Sequence, residues 1–130
     1  MDESLEKRVR SLLERQDESA ANRAAIDVLK ALLLLYGSAW ESDLKDMLAM
    51  IWGARQLSLE EMGELQAAMS DAEKVLQEMG LIKIEERYRG DLSRSEATLE
   101  KLYTTDHLLL LMKVLGGDKE LDRIRFQLQG

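Results

Sequence analysis

Arg87, Tyr88 and Arg89 stand in consecutive positions, and Arg94 follows across Gly90-Asp91 and a serine-bearing segment. Guanidinium groups gathered around an aromatic ring suit non-covalent capture of phosphate oxygens, along a nucleic-acid backbone or in a minor groove. Lys83 adds a cation a few residues earlier. Carboxylates match these cations one for one: Glu85, Glu86, Asp91, Glu96 and Glu100 stand against Lys83, Arg87, Arg89, Arg94 and Lys101. A solvated hairpin laced by cross-strand ion pairs is therefore the competing reading. Upstream, Gln66, Ser70, Lys74 and Gln77 are residue types that reach base edges. Their neighbours weigh against that use. Over 59–79, Glu60, Glu61, Glu64, Asp71, Glu73 and Glu78 face the single Lys74, a net charge of −5.

Other chemistry finds little to build on. The chain has 1 histidine and no cysteine, which excludes disulfides, thiol nucleophiles and cysteine-ligated zinc and leaves no transition-metal ligand set. His107, beside Asp106, is of a type that titrates near neutrality, although a first-turn helix residue is the plainer reading. The remaining carboxylates fall on expected exposed helix faces and read as solubilising charge. Glycine-rich phosphate loops, dinucleotide fingerprints and nucleophile elbows are absent. The sequence thus points to no catalytic residues, no enzyme activity, no metal and no cofactor. Met47, Met50, Met62, Met69 and Met79 sit at helical spacings and read as core filler before promiscuous surface. Trp40 and Trp52 bracket one helix, and either can anchor an interface.

These residues need a scaffold. At 130 residues, with 45% hydrophobic and 33% charged, the chain has the size and composition of one globular domain. Only 5% is aromatic and proline is absent, so the core must come from aliphatic residues and methionine on uninterrupted helices. The net charge of −7 is the wrong sign for general DNA attraction, so any DNA contact needs a local basic patch. The apolar runs 31–36 and 108–112 are too short to cross a bilayer, so no membrane partner is expected. The charged N-terminal stretch is no secretory signal, and with the lack of cysteine it suggests a cytoplasmic protein.

Periodicity supplies the elements. Leu5, Val9, Leu12 and Leu13 mark an N-terminal amphipathic helix within 1–20, with Glu3–Lys7 and Glu6–Arg10 at i,i+4. Asn22 is placed to cap a very apolar helix over 24–36, whose inward face includes Tyr36 and which Gly37 ends in a left-handed turn. Residues 38–40 read as a connection, and a helix follows to Trp52, closed by Gly53. Ser58 and Glu61 form a capping box for a helix over 59–79, with Met62, Leu65, Met69, Ala72, Val75 or Leu76, and Met79 inward. Gly63 weakens its first turn by about 1 kcal/mol relative to alanine. Gly80 stops it. A strand over 81–85, a polar loop and a second strand within 97–105 come next. Thr105 or Asp106 caps a helix over 107–115. After Gly116-Gly117, a final helix places Leu121, Ile124 and Leu128 on one side.

VLQEMGLIKIEERYRG, with Leu76, Gly80, Leu81 and Ile82, and LEKLYTTDH, with Tyr103 and Thr105, resemble the helix-to-strand junction and second wing strand of MarR- and PadR-like winged-helix regulators. The resemblance covers about 24–115 and departs at His107, where glycine is more usual. It implies a mainly α fold with a small antiparallel β-hairpin, a winged helix-turn-helix core over 22–105 and extra helices at both ends. It also implies a homodimer held by terminal helices, and double-stranded DNA as partner. Leu5, Val9, Leu12, Leu121 and Ile124 are the expected dimer contacts, since both terminal helices need something to cover their apolar stripes. The functional expectation is a transcriptional regulator binding DNA mainly through the wing. The alternative is a winged helix that uses its acidic surface to bind a protein and does not bind DNA.

Overall fold

Residues 24–34 are buried without a break, so the chain is organised around the helix that contains them. In the computed structural model, which describes residues 2–90 and 97–129, the elements run α1 (Asp2–Glu14), α2 (Ala20–Leu34), β1 (Ser38–Trp40), α3 (Glu41–Ala54), α4 (Leu59–Ala67), α5 (Met69–Glu78), β2 (Lys83–Arg89), β3 (Thr98–Thr104), α6 (Leu108–Leu115) and α7 (Lys119–Gln129). The protein is mainly helical with a small three-stranded antiparallel sheet of order β1–β3–β2. One hydrophobic cluster contains side chains from every helix and from β1 and β3.

The ends of α2 differ from expectation at both caps. Ser19, not Asn22, is the N-cap, and its hydroxyl accepts the Asn22 N–H at 3.0 Å. Asn22 instead donates through Nδ2 to the Arg15 carbonyl at 3.0 Å, closing the turn after α1. At the C-terminus, Gly37 N–H reaches the Leu32 carbonyl at 2.7 Å and Tyr36 N–H the Leu33 carbonyl at 3.2 Å. That pairing puts Tyr36, at φ 61°, in the left-handed position, with Gly37 after it. The turn leaves Tyr36 86% exposed and not on the inward face. The helix α3 likewise passes through Gly53 and turns at Gln56, φ 58°. The stop after α5 follows expectation. Leu81 N–H meets the Leu76 carbonyl and Gly80 N–H the Gln77 carbonyl, both at 3.0 Å, with Gly80 at φ 74°. Leu76 and Leu81 are fully buried, which supplies the apolar contact of this motif.

The helix expected over 59–79 is two helices. The Ser58–Glu61 capping box starts α4 as expected, and Gly63 lies within an unbroken turn. The chain breaks at Ala68 (φ −87°, ψ −3°), whose N–H is shared between the Glu64 and Leu65 carbonyls. Leu65, Ala72 and Leu76 are the buried positions on this pair, while Met62, Met69, Val75 and Met79 are only half-buried.

The connection expected over 38–40 is a strand. It pairs with β3 in the register Ser38↔Thr104, Ala39↔Tyr103 and Trp40↔Leu102. On its other side β3 pairs with β2 from Lys83↔Thr104 to Arg89↔Thr98. The first hairpin strand therefore begins after Leu81 and Ile82 and runs through Arg89, well past residue 85. At the start of α6, the Thr105 hydroxyl accepts the His107 N–H at 3.1 Å and donates to the Leu81 carbonyl at 2.7 Å, so it ties the helix start to the hairpin base.

The residues expected as dimer contacts lie inside the chain. Leu5, Val9 and Leu12 on α1, and Leu121 and Ile124 on α7, are all buried in the chain's own core. The α1 stripe packs against α2 and α6, and α7 packs against α2. The apolar residues that were expected to need a second subunit are covered without one. Leu128, expected beside Leu121 and Ile124, is exposed.

Candidate functional site

The alternation of β2 puts Arg87 and Arg89 on one side of the sheet and Tyr88 on the other. Lys83, Glu85, Arg87 and Arg89 face one side of the sheet, and Ile84, Glu86 and Tyr88 the other. Each described cation on the first side has a carboxylate. Lys83 Nζ lies 3.3 Å from Asp106. Arg87 donates through Nε and Nη2 to Glu85 at 3.0 and 2.8 Å. Arg89 folds back onto the start of α3. Its Nη1 donates to the Ser42 hydroxyl at 3.0 Å and to Glu100 at 3.3 Å, Nη2 lies 3.5 Å from Asp43, and the guanidinium sits 5.4 Å from the Trp40 ring centre. The Ser42 hydroxyl and then its N–H, at 2.6 and 2.8 Å, bond to Glu100 and hold that carboxyl below its usual range. Arg94 lies outside the described residues.

On the opposite side, Tyr88 stands directly across from Leu99, and Ile84 from Tyr103. Tyr103 is buried, whereas Tyr88 and Leu99 are 74% and 51% exposed. This face leads into a groove of about 620 Å³ between α3, α4–α5 and β3. Leu44, Leu48, Trp52, Met62 and Met69 supply its apolar walls. Gln66 and Ser70, two of the helix positions expected to read DNA, line the groove, while Lys74 and Gln77 stand outside it on the exposed surface. At the sheet end, the Tyr103 hydroxyl donates to Glu73 at 2.8 Å. Burial, then that carboxylate, pushes the Tyr103 phenol far above its ordinary range, so it stays a neutral donor. Lys45 and Lys101 line the same groove.

A second polar centre lies inside the protein. Asp27 is fully buried in α2 and accepts from Arg55 at 2.9 and 2.5 Å and from Trp52 Nε1 at 2.9 Å. Arg55 also donates to Glu120 twice, at 2.8 Å each. Lys30 Nζ lies 3.1 Å from Glu120 and 2.7 Å from Asp118. The network joins α2, the turn after α3 and the start of α7. Among the described residues no buried side-chain polar atom lacks a partner. The saturated pairs leave no group free for chemistry and act as a lock on α7. Asp27 and Lys30 carried the signal: two charges three residues apart on a helix apolar all round demand buried partners.

Burial works to raise the Glu120 carboxyl, but the hydrogen bonds and charge of Arg55, then Lys30, outweigh it and pull the group from 4.5 to about 2. A depressed folded value stabilises above the unfolded pKa and is lost as pH falls through the folded one. This group therefore stabilises the fold at neutral pH, and that contribution is lost between about pH 5 and pH 2. Glu120→Gln is expected to flatten the acid limb of the stability curve across that window, measured by urea unfolding at stepped pH. An unchanged limb would refute the assignment.

His107 is the N-cap of α6. Among the described residues no group of three His, Cys, Asp or Glu side chains is placed to hold a metal ion, and no helix is long and apolar enough to cross a membrane. No family model matches the chain, and neither a curated protein nor a solved structure matches it.

Proposed function

We propose that the chain is a winged helix whose function is to bind another protein through the acidic surface of α4 and α5. The winged-helix reading is supported by the order helix, strand, three helices and two strands from α2 to β3, by the sheet order β1–β3–β2, and by the hairpin following α5. In this reading α3 and α4–α5 are the helix-turn-helix pair, β2 and β3 are the wing, and α1, α6 and α7 are additions. The observation that carries the function is the outward face of α4–α5. Glu60, Glu61, Glu64, Asp71 and Glu78 are exposed there with Lys74 as the only cation. A surface of that sign repels phosphate and attracts a basic partner.

DNA binding through the wing is the second reading, favoured by Arg87 and Tyr88 lying exposed on the outer half of β2. Against it stand the carboxylates already paired with Lys83, Arg87 and Arg89.

One comparison separates the two. The chain is titrated, at low salt, into a labelled lysine-rich peptide and into a labelled random-sequence DNA duplex. The protein-binding reading expects the peptide to bind, the duplex to give no shift, and the combined change of Glu60, Glu64 and Asp71 to lysine to abolish peptide binding. Duplex binding that falls steeply with salt and weakens in the Lys83→Ala, Arg87→Ala double variant would replace this reading with the DNA one.

A further inference from the structure

We propose that α7 is a clasp, held shut by Asp118 and Glu120, that docks on α2 and folds in one step and opens as a unit while the rest of the fold stays closed. Its opening bares Lys30 and Arg55, the two cations those carboxylates cover when the clasp is shut.

The helix is held at its start. Leu121 and Ile124 are its buried positions, while Phe126, Gln127, Leu128 and Gln129 are exposed. The ionic contacts lie at the same end. Asp118 and Glu120 meet Lys30 Nζ at 2.7 and 3.1 Å, and Glu120 accepts two hydrogen bonds from Arg55 at 2.8 Å each. Gly116 and Gly117, both exposed, join α7 to α6 and leave the connection without side chains that could anchor it.

Docking and helix formation share one carboxylate. Asp118 Oδ1 accepts the Glu120 and Leu121 N–H groups at 2.7 and 3.4 Å, and Oδ2 pairs with Lys30. The first oxygen satisfies donors that a helix start leaves free, and the second fixes that start to α2. At 11 residues, α7 is too short to keep helical form alone in water. An undocked α7 therefore loses its helix, and a helix pulled off Lys30 loses the orientation of its cap. Both losses disfavour half-open states.

The seat survives release. Asp27 keeps its bonds from Arg55 and from the Trp52 indole N–H when Glu120 leaves, so the buried carboxylate stays compensated. Lys30 meets carboxylates from the α7 end, and once these depart its long flexible stem carries the ammonium into water. Opening thus strands no buried charge, the penalty that would otherwise force α2 and α3 to open with α7. The apolar loss is confined to Leu121, Ile124 and the surface they cover, within a cluster that draws on every other helix as well.

Native-state hydrogen exchange of the intact chain, read by NMR at stepped urea below the unfolding transition, tests the clasp. The amides of residues 122–127 are expected to share one opening free energy and one urea slope, both smaller than those of residues 24–34 on α2. In Glu120→Gln their exchange should be at least about tenfold faster, the size that follows from losing hydrogen bonds to a charged group, and should remain faster than that of α2. Asp118→Asn, which keeps a capping oxygen and removes the charge facing Lys30, is the milder variant and should speed α7 exchange in the same sense. One free energy and one slope common to α7 and α2 overturns the clasp, because α7 then opens only with the whole fold. Graded protection along 122–127 without urea dependence overturns it in favour of end fraying. Exchange of α7 unchanged in both variants overturns the hold assigned to the two carboxylates.

Discussion

Arg55→Met is expected to cost the folded chain about 3–5 kcal/mol, the loss typical of removing one partner from a buried ion pair. Methionine keeps much of the apolar stem but none of the guanidinium, so the change isolates charge from packing. Asp27, fully buried, would lose two bonds and retain only the Trp52 indole N–H. Glu120 would lose its two bonds from Arg55 and retain Lys30. The cost is thus the desolvation of a carboxylate whose counter-charge is gone. Adding Asp27→Asn to Arg55→Met removes the orphaned charge while keeping an acceptor for Trp52, and should recover a large part of the loss. Urea unfolding of the two single variants and the double gives the coupling directly. A loss below about 1 kcal/mol for Arg55→Met would mean that the buried charge has another partner or lets water in.

Leu121→Ala is expected to cost about 2–5 kcal/mol, the range for truncating a buried leucine. Leu121 is fully buried on α7, in the same cluster as Leu111, Leu115 and the centre of α2. Its burial needs only this chain, so the loss should be the same at any protein concentration. If α7 were instead covered by a second subunit, stability would rise with concentration by mass action and the variant would lower that dependence. Unfolding midpoints taken tenfold apart in concentration decide between the two.

Local rules carried much of the helical layer. The Ser58–Glu61 box, the glycine stop at Gly80 and the stripe of α3 all depend on residues within one or two turns of each other. The expectations that failed depend on distant residues. Residues 38–40 have little strand character of their own and become a strand because β3 offers them a partner. The extension of β2 through Arg89 runs over charged residues of weak strand propensity, held by pairing with 98–102. The break at Ala68 has no glycine, proline or free hydroxyl to announce it. At the site, the residue types of the wing were legible but their facing was not, because facing depends on where the strand begins to alternate. The groove draws its walls from residues 41 to 103, a span that periodicity within single helices does not connect.

The Arg89 side chain gives the hairpin the mechanics of a propped beam. At its base β3 is held on both sides, by β1 and β2; beyond Trp40↔Leu102 it has β2 alone. Arg89, near the far end, reaches back to Ser42 and Asp43 and supports the unsupported half. Exposed ion contacts of this kind hold by no more than about 1 kcal/mol, so thermal motion releases the prop for an appreciable fraction of the time. Without that prop, the outer strands and the Tyr88–Leu99 pair would be tied to the fold only through the base of the sheet.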